Sequence, residues 1–265
     1  MLPGKPVIKT DEAIERMRRS GALTAKVLEA VAEIIKPGIS TMEINDFCEN
    51  YIIQNLDAVP GSKGQYDYPY AVNTSLNHVI CHGMPSDKVR LKNGDILNVD
   101  LTVLKDGYYG DSSKMFTVGE IKPFAQQLID TTQHCLYSAI QQVKPGITLG
   151  DIGFIIQNIA EKKRYSVVRE FCGHGIGASM HEVPDVAHFG SPNQGLKLKE
   201  GMTFTIEPMI NQGKAAIRQH PDGWTITTKD RRLSAQWEHT ILVTRTGYEI
   251  LTFRDEEHGN IPRVT

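Results

Sequence analysis

The chain has 265 residues, a formal net charge of -2 and a hydrophobic fraction of 40%, as expected for one large or two small soluble domains. The nearly neutral charge argues against binding to nucleic acid or an anionic membrane by net charge alone. No apolar run approaches the length of a membrane span, and the four scattered cysteines form no CxxC pair. These features favour a cytoplasmic, reducing compartment.

The first predicted elements are two helices separated by a Pro-Gly stop. Thr10 is placed to cap a helix that runs to about Lys36, with apolar residues near helical spacing. Ser40 and Glu43 form a capping-box pattern that predicts the start of a second helix.

The clearest local pattern is a β-hairpin in "DILNVDLTVLKDGYYGDSSKMFTVG". An Asp-Gly pair at 106–107, flanked by alternating apolar and polar residues, predicts a two-residue turn. This turn pairs Thr102 with Asp111 and places Asp100 on the same sheet face as Asp111. Two carboxylates in a buried strand pair need a Lys or Arg, a shared proton or a metal ion nearby. Their shared register favours the metal.

The second half of the chain repeats features of the first. Lys-Pro-Gly starts at residues 36 and 144, while "LKNGDILNVD" and "LKEGMTFTIE" start at 91 and 198, so both repeats are shifted by nearly the same distance. A helix is predicted from Ile121 to Val143, and Thr148 with Asp151 caps the next one. We therefore predict a single domain, 1–265, with related α+β halves at about 10–118 and 119–248 around a pseudo-two-fold axis.

Further acidic residues come from the second half. Glu207 ends the second copy of the repeated phrase as Asp100 ends the first, so the repeat predicts that the two face each other. "LSAQWEHTILVT" has the alternation of one strand, with Glu238 on its more polar face.

Three histidines lie in unusual surroundings. His174 and His181 occur in "FCGHGIGASMHEVP", and His82 occurs in "ICHGMP". The glycine spacing also matches a dinucleotide-binding fingerprint, which we reject because no helical pattern follows. A lone histidine is usually a structural hydrogen-bonding group, and His188 is expected to be of that kind.

Together these residues predict a site for two divalent cations. The candidate ligands are Asp100, Asp111, His174, Glu207 and Glu238. Four carboxylates and an imidazole are too many ligands for one catalytic zinc, which usually has three protein ligands, but they suit a bridged pair of cations. Acyl-enzyme chemistry has no support, since the sequence contains no GxSxG elbow and no cysteine-protease signature.

Five motifs in this order closely resemble type I methionine aminopeptidases: "VICHGMP", the hairpin, "CGHGIG…HEVP", "TFTIEPM" and "WEHTILVT". The resemblance covers about residues 5–250. It implies an α+β pita-bread fold, in which two halves form a central antiparallel sheet with helices on its outer face. It also implies one catalytic domain, a dinuclear metalloaminopeptidase of the short bacterial or organellar form. Its expected function is removal of the initiator methionine from nascent polypeptides when the second residue is small.

The resemblance also implies roles for individual residues. The five candidate ligands would hold two divalent ions, with Co, Mn, Fe, Ni and Zn left open. The metal pair is expected to lower the pKa of a bridging water, whose proton Glu207 receives and passes to the leaving amine. His181 is expected to donate a hydrogen bond to the scissile carbonyl, and His82 to contact the peptide nitrogen beyond it.

The expected substrate pocket departs from the family pattern. Its implied residues are Tyr68, Asn73, His82, Met180, His181 and Trp224. Asn73 stands where cysteine is usual, Met180 stands where an aromatic residue is usual, and Ser62 and Gln65 also differ. Methionine should still fit because Met180 is adaptable, whereas cysteine-directed reagents are expected to spare the pocket.

Two other hypotheses remain open at this point. A prolidase or Xaa-Pro aminopeptidase usually carries a large N-terminal domain, whereas the first motif here arrives by residue 82. A non-enzymatic binding module would typically have lost metal ligands, and all five are present. The expected partners are nascent N-termini, with no membrane partner and no recognition of nucleic-acid sequence. A monomer is expected, and contact with the ribosome stays open at this point.

Overall fold

A computed structural model describes residues 4–258, which contain four α-helices and fifteen β-strands. The helices are α1 (Asp11–Val31), α2 (Thr41–Asn50), α3 (Pro123–Ile140) and α4 (Leu149–Lys162). The strands are β1 (Val59–Pro60), β2 (Val72–Leu76), β3 (Val79–Cys81), β4 (Ile96–Lys105), β5 (Tyr108–Thr117), β6 (Ser166–Val167), β7 (Gly173–Gly175), β8 (Glu182–Val186), β9 (Thr203–Ile206), β10 (Met209–Asn211), β11 (Ile217–Gln219), β12 (Ile226–Thr228), β13 (Ser234–Gln236), β14 (His239–Val243) and β15 (Tyr248–Ile250). Within this range, none of the helices combines the length and the hydropathy that crossing a bilayer would require.

Three of the helices begin at the predicted caps. The Thr10 side chain accepts a hydrogen bond from the backbone of Ala13 at the start of α1. Complete capping boxes begin α2 at Ser40 and α4 at Thr148, as the sequence indicates. α3 starts later than predicted, because Pro123 lacks an N–H and is accommodated only in the first turn of a helix.

The β4–β5 hairpin has the predicted register. Lys105 pairs with Tyr108 and Thr102 pairs with Asp111. The turn residues Asp106 and Gly107 have φ angles of 52° and 80°, the positive values that a two-residue primed turn requires. The apolar residues of β4 pack in a core with α1 and α2, and a second core lies under α3 and α4. The hairpin therefore holds its acidic residues on a rigid, buried support.

Matching hydrogen bonds recur in the two halves. The Gly38 N–H donates to the Leu91 carbonyl at 2.8 Å, and the Gly146 N–H donates to the Leu198 carbonyl at 3.0 Å. Each copy of the repeated phrase is thus bound to its own Lys-Pro-Gly turn. This correspondence supports our proposal that one domain contains two related halves.

The strands of residues 4–258 form four antiparallel sheets, and one predicted strand is divided between two of them. β13 pairs with β10, whereas β14 pairs with β9 and β15. The prediction of one continuous strand around Glu238 is therefore wrong. The Glu238 N–H donates to the carbonyl of Ser113 on β5, so the chain changes sheets where it meets the hairpin. The break places Glu238 beside the acidic residues of the hairpin.

Candidate metal centre

All the predicted site residues of the chain line one cavity of about 330 Å³. The candidate metal ligands among them are Asp100, Asp111, His174, Glu207 and Glu238. The candidate substrate contacts are Tyr68, Asn73, His82, Met180, His181 and Trp224. The fold thus brings together side chains from both halves of the sequence.

Three of the candidate ligands lie closest together. Potential ligand atoms of Asp111, His174 and Glu238 are all within 4.8 Å of one another. Glu207 adjoins this group, because its Oε1 is 3.6 Å from the Nε2 of His174. Asp100 lies on β4 two residues from Thr102, the cross-strand partner of Asp111, and reaches the group diagonally.

The imidazole of His174 is oriented as a neutral metal ligand. Its Nδ1 is 3.0 Å from the carbonyl oxygen of Gly175, which can only accept, so Nδ1 carries the proton. The lone pair of Nε2 is then directed at the carboxylates of Asp111 and Glu207. Burial lowers the pKa of His174 to about 3, so the ring is neutral near pH 7. A backbone acceptor that fixes the tautomer is typical of metal-binding histidines.

The cavity is strongly acidic. Six of its lining residues are Asp or Glu, and none of the described lining residues is Lys or Arg. Burial raises the pKa of Asp100 to about 7. Burial, followed by repulsion from neighbouring carboxylates, also raises the pKa values of Asp111 and Glu238. Divalent cations would compensate this cluster, so the donor set fits the metal ions that the sequence predicts.

Neighbouring polar side chains hold the carboxylates in place. Thr102 donates to Asp111 Oδ1 at 2.9 Å, and Thr205 donates to Glu207 Oε1 at 2.7 Å. Gln236 donates from Nε2 to Glu207 Oε2 at 3.3 Å. The sequence interpretation missed Thr205 and Gln236. Strand alternation could have found Thr205, which stands two residues before Glu207, but not Gln236, because the strand is broken before Glu238.

Two further side chains contact the candidate ligands from behind. Asn73 donates to Asp100 Oδ2 at 3.3 Å, across the β2–β4 pairing. The backbone N–H of Glu207 donates to Nε2 of the buried His188. His188 therefore has the structural role that the sequence suggests, at the back of the site.

The other end of the cavity is largely apolar. The rings of Tyr68 and Trp224 meet edge to face with centroids 4.9 Å apart. His82 meets Phe171, which the sequence interpretation missed, at 5.4 Å. Met180 also lines the cavity, with its sulfur 3.9 Å from the Thr102 hydroxyl. Aromatic and thioether walls suit a methionine side chain, which makes favourable sulfur–aromatic contacts.

Two thiols line the cavity in spite of the asparagine at position 73. Cys81 is buried and Cys172 is half-buried, and both contribute to the lining. Asparagine at position 73 therefore does not leave the cavity without thiols. Burial raises the pKa of Cys172 to about 11, so little reactive thiolate is present near pH 7.

The metal-free protein is expected to lose stability as the pH rises from about 4 to 7. The pKa of Asp100 is about 7 in the folded chain, against about 3.9 when unfolded. The folded state therefore keeps a proton that the unfolded chain releases, and each such proton lowers the free energy of unfolding by about 1.4 kcal/mol per pH unit. Denaturant unfolding of chelator-treated protein tests this. A profile that stays unchanged in Asp100→Asn would contradict the assignment.

Comparison with known proteins agrees with this arrangement. The model of metallopeptidase family M24 matches residues 15–245. The methionine aminopeptidase of Escherichia coli (strain K12) is 52% identical over 257 residues, covering 97% of each chain. The crystal structure of methionine aminopeptidase from Rickettsia prowazekii matches with a TM-score of 0.92 and 46% identity, covering 94% of this chain and all of that one.

The prolidase of Pyrococcus horikoshii OT3 shares the fold alone. Its TM-score is 0.74 at 24% identity, and the matched part covers 64% of the prolidase. The predicted α+β pita-bread fold is confirmed by these structures. Since a methionine aminopeptidase matches almost from end to end at 52% identity, the chain belongs to metallopeptidase family M24 and, within it, to the type I methionine aminopeptidases.

Proposed function

We propose that the cavity binds the N-terminal methionine of polypeptides whose second residue is small, and that their first peptide bond is hydrolysed at a two-metal centre. Membership of the family makes the chain a metal-dependent aminopeptidase. The observation that carries the proposed site is the buried group of Asp111, His174 and Glu238, with the imidazole lone pair directed at carboxylates. Asp100 and Glu207 would complete the ligand set, and availability would select among Co, Mn, Fe, Ni and Zn.

The bound cations would supply Lewis acidity for the scissile carbonyl and an activated water. Glu207 is suited to hold the proton released during hydrolysis, since burial raises the pKa of its carboxyl group. Two hydrogen bonds, from Thr205 and Gln236, keep this carboxyl in place while it does so.

His181 and His82 are proposed to act on the peptide itself. Burial lowers the pKa values of both, so each is neutral near pH 7 and can donate one N–H. The ring of His181 lines the cavity, and its centroid lies 4.2 Å from that of His174. We assign His181 to the scissile carbonyl and His82 to the nitrogen of the next peptide bond. The ring of Tyr66, 5.5 Å from that of His181, would meet the second substrate residue and favour a small one.

Cleavage of short peptides tests the function. We expect Met-Ala-Ser to lose methionine in the presence of Co, Mn or Fe, Met-Lys-Ser to remain intact, and chelator to stop the reaction. Elemental analysis of protein purified without added metal would give the number and identity of the ions. Activity that is indifferent to chelator would overturn the proposal, whereas cleavage of Xaa-Pro peptides alone would indicate prolidase activity.

Nascent chains suggest the ribosome as a partner, and a basic surface supports this extension of the proposal. Five exposed cationic residues surround the β11–β12 hairpin, against two exposed carboxylates, Asp222 and Asp230; the cations are Lys214, Arg218, Lys229, Arg231 and Arg232. Such a cluster can bind the phosphates of ribosomal RNA without reading sequence, with an affinity that falls as salt rises.

Sedimentation with ribosomes tests the basic surface. We expect binding to weaken between about 50 and 200 mM salt, and Arg218→Glu to weaken it further at low salt. Lys122→Glu changes an exposed cation outside this surface and is expected to have a smaller effect. Equal binding by wild type and Arg218→Glu would contradict the assignment.

The remaining proposals concern compartment and assembly. We propose a cytoplasmic location, supported by the free thiols of Cys48, Cys81, Cys135 and Cys172. We propose a monomer, because the residues of one chain suffice to line the cavity.

A further inference from the structure

A buried ionic network lies behind the proposed metal centre. Arg254 and His239 are 0% exposed, and Glu257 is 2% exposed. Nη2 of Arg254 donates to Glu257 Oε1 at 2.7 Å, and the same oxygen is 2.9 Å from Nε2 of His239. The Tyr137 hydroxyl also donates to Glu257. Burying a charged pair gives little net stability compared with apolar residues of similar volume, so stability alone is a weak reason for this network.

The network joins the two chain segments that carry Asp111 and Glu238. Nη1 of Arg254 donates to the Ser112 hydroxyl at 3.0 Å, and that hydroxyl donates to the Glu238 carbonyl at 2.6 Å. Ser112 directly follows Asp111 on β5. His239, at the other end of the network, directly follows Glu238. Both candidate ligands are therefore covalently adjacent to residues that the Arg254 network holds.

The shape of the guanidinium explains why arginine occupies this place. Its planar fork reaches Ser112 through Nη1 and Glu257 through Nη2 at the same time. Its Cζ lies 5.7 Å from the ring of Trp237, the residue before Glu238. A lysine ammonium has one nitrogen and could not hold both partners in this geometry.

We propose that Arg254 is a positioning residue of the metal centre, which sets the separation of Asp111 and Glu238 by holding the Ser112 hydroxyl against the Glu238 carbonyl. The inference rests on the proposed function in that it takes these two carboxylates as ligands. The segment after β15 that carries Arg254 and Glu257 would then affect metal affinity, although neither side chain lines the cavity.

Metal titration of four variants tests the proposal. Ser112→Ala removes the bridging hydroxyl alone, and Arg254→Lys keeps the charge but loses the fork. The double variant Arg254→Met/Glu257→Met removes both charges together, so that neither is left unpaired in the core. Tyr137→Phe is the matched control, since it removes one hydrogen bond to Glu257 without touching the bridge.

The readouts are the Kd for Mn²⁺ by calorimetry without substrate, the Tm of metal-free protein, and KM and kcat for Met-Ala-Ser. We expect Ser112→Ala and the double variant to bind Mn²⁺ about 10–100-fold more weakly, as for other residues that orient metal ligands. Arg254→Lys should give a smaller loss. KM at saturating metal should stay unchanged, and Tyr137→Phe should lower the Tm without changing the Kd.

Wild-type Mn²⁺ affinity in folded Ser112→Ala would overturn the proposal, whatever happens to the Tm. Wild-type Mn²⁺ affinity in Arg254→Lys would overturn it as well, so the test stands even if the double variant fails to fold. Failure of the proposed function would give a different experimental result. Wild-type protein that binds Mn²⁺ without cleaving Met-Ala-Ser would overturn the proposed function alone, and wild-type protein that binds none would overturn both.

Discussion

Glu238→Gln is expected to lower kcat/KM for a Met-Ala-Ser peptide by at least about 10³-fold and, at the same time, to raise the Tm of the metal-free protein. The loss follows because an amide cannot replace the charge of a ligand whose atoms adjoin those of Asp111 and His174. The gain follows because burial, and then repulsion from Asp111, Glu207 and Asp100, disfavours the charged form of Glu238. Removing about 1 kcal/mol of this cost would raise the Tm by roughly 2–4 °C.

The opposite signs of the two effects make this prediction specific. A residue that merely supports the fold would lower the Tm when it is changed. Thermal unfolding with and without Mn²⁺, together with elemental analysis, would distinguish a metal ligand from a residue that only supports the fold. Glu170→Gln is the matched control, since Glu170 is an exposed carboxylate that lines the same cavity, and neither quantity should change. Full activity with bound metal in Glu238→Gln would refute the ligand assignment.

His181→Ala is expected to lower kcat by about 10²–10³-fold while leaving metal affinity unchanged. This is the range found when one donor to a developing oxyanion is removed. The neutral ring of His181 lines the cavity next to His174. A donor of this kind acts on the substrate and does not hold the ion.

Steady-state kinetics and metal titration on the same preparation would test His181. His134→Ala, an exposed position on α3, is the control and should behave as wild type. His181→Asn keeps a donor group and should recover part of the lost kcat. If His181→Ala instead lost metal in proportion to its activity, His181 would have to be regarded as a ligand.

Local sequence patterns were sufficient to predict the hairpin and the helix caps, because these depend on residues that are close together in the chain. The Asp-Gly turn fixed the register of the β4–β5 hairpin, because its positive φ angles allow only one pairing of the strands. The caps at Thr10, Ser40 and Thr148 likewise appear where their side chains can satisfy free backbone N–H groups. The motifs also identified the family, which the comparisons confirm.

The sequence by itself therefore determined the family, the starts of α1, α2 and α4, the hairpin, and four of the six acidic residues and all three histidines that line the cavity. Only the tertiary structure decided how Glu238 reaches the site, because the break between β13 and β14 depends on pairing with strands distant along the chain. It also decided which residues support the ligands from behind, such as Arg254 at the Ser112 hydroxyl. No periodic pattern encodes such contacts, since they arise only when packing brings separate segments together and buried polar groups must find partners.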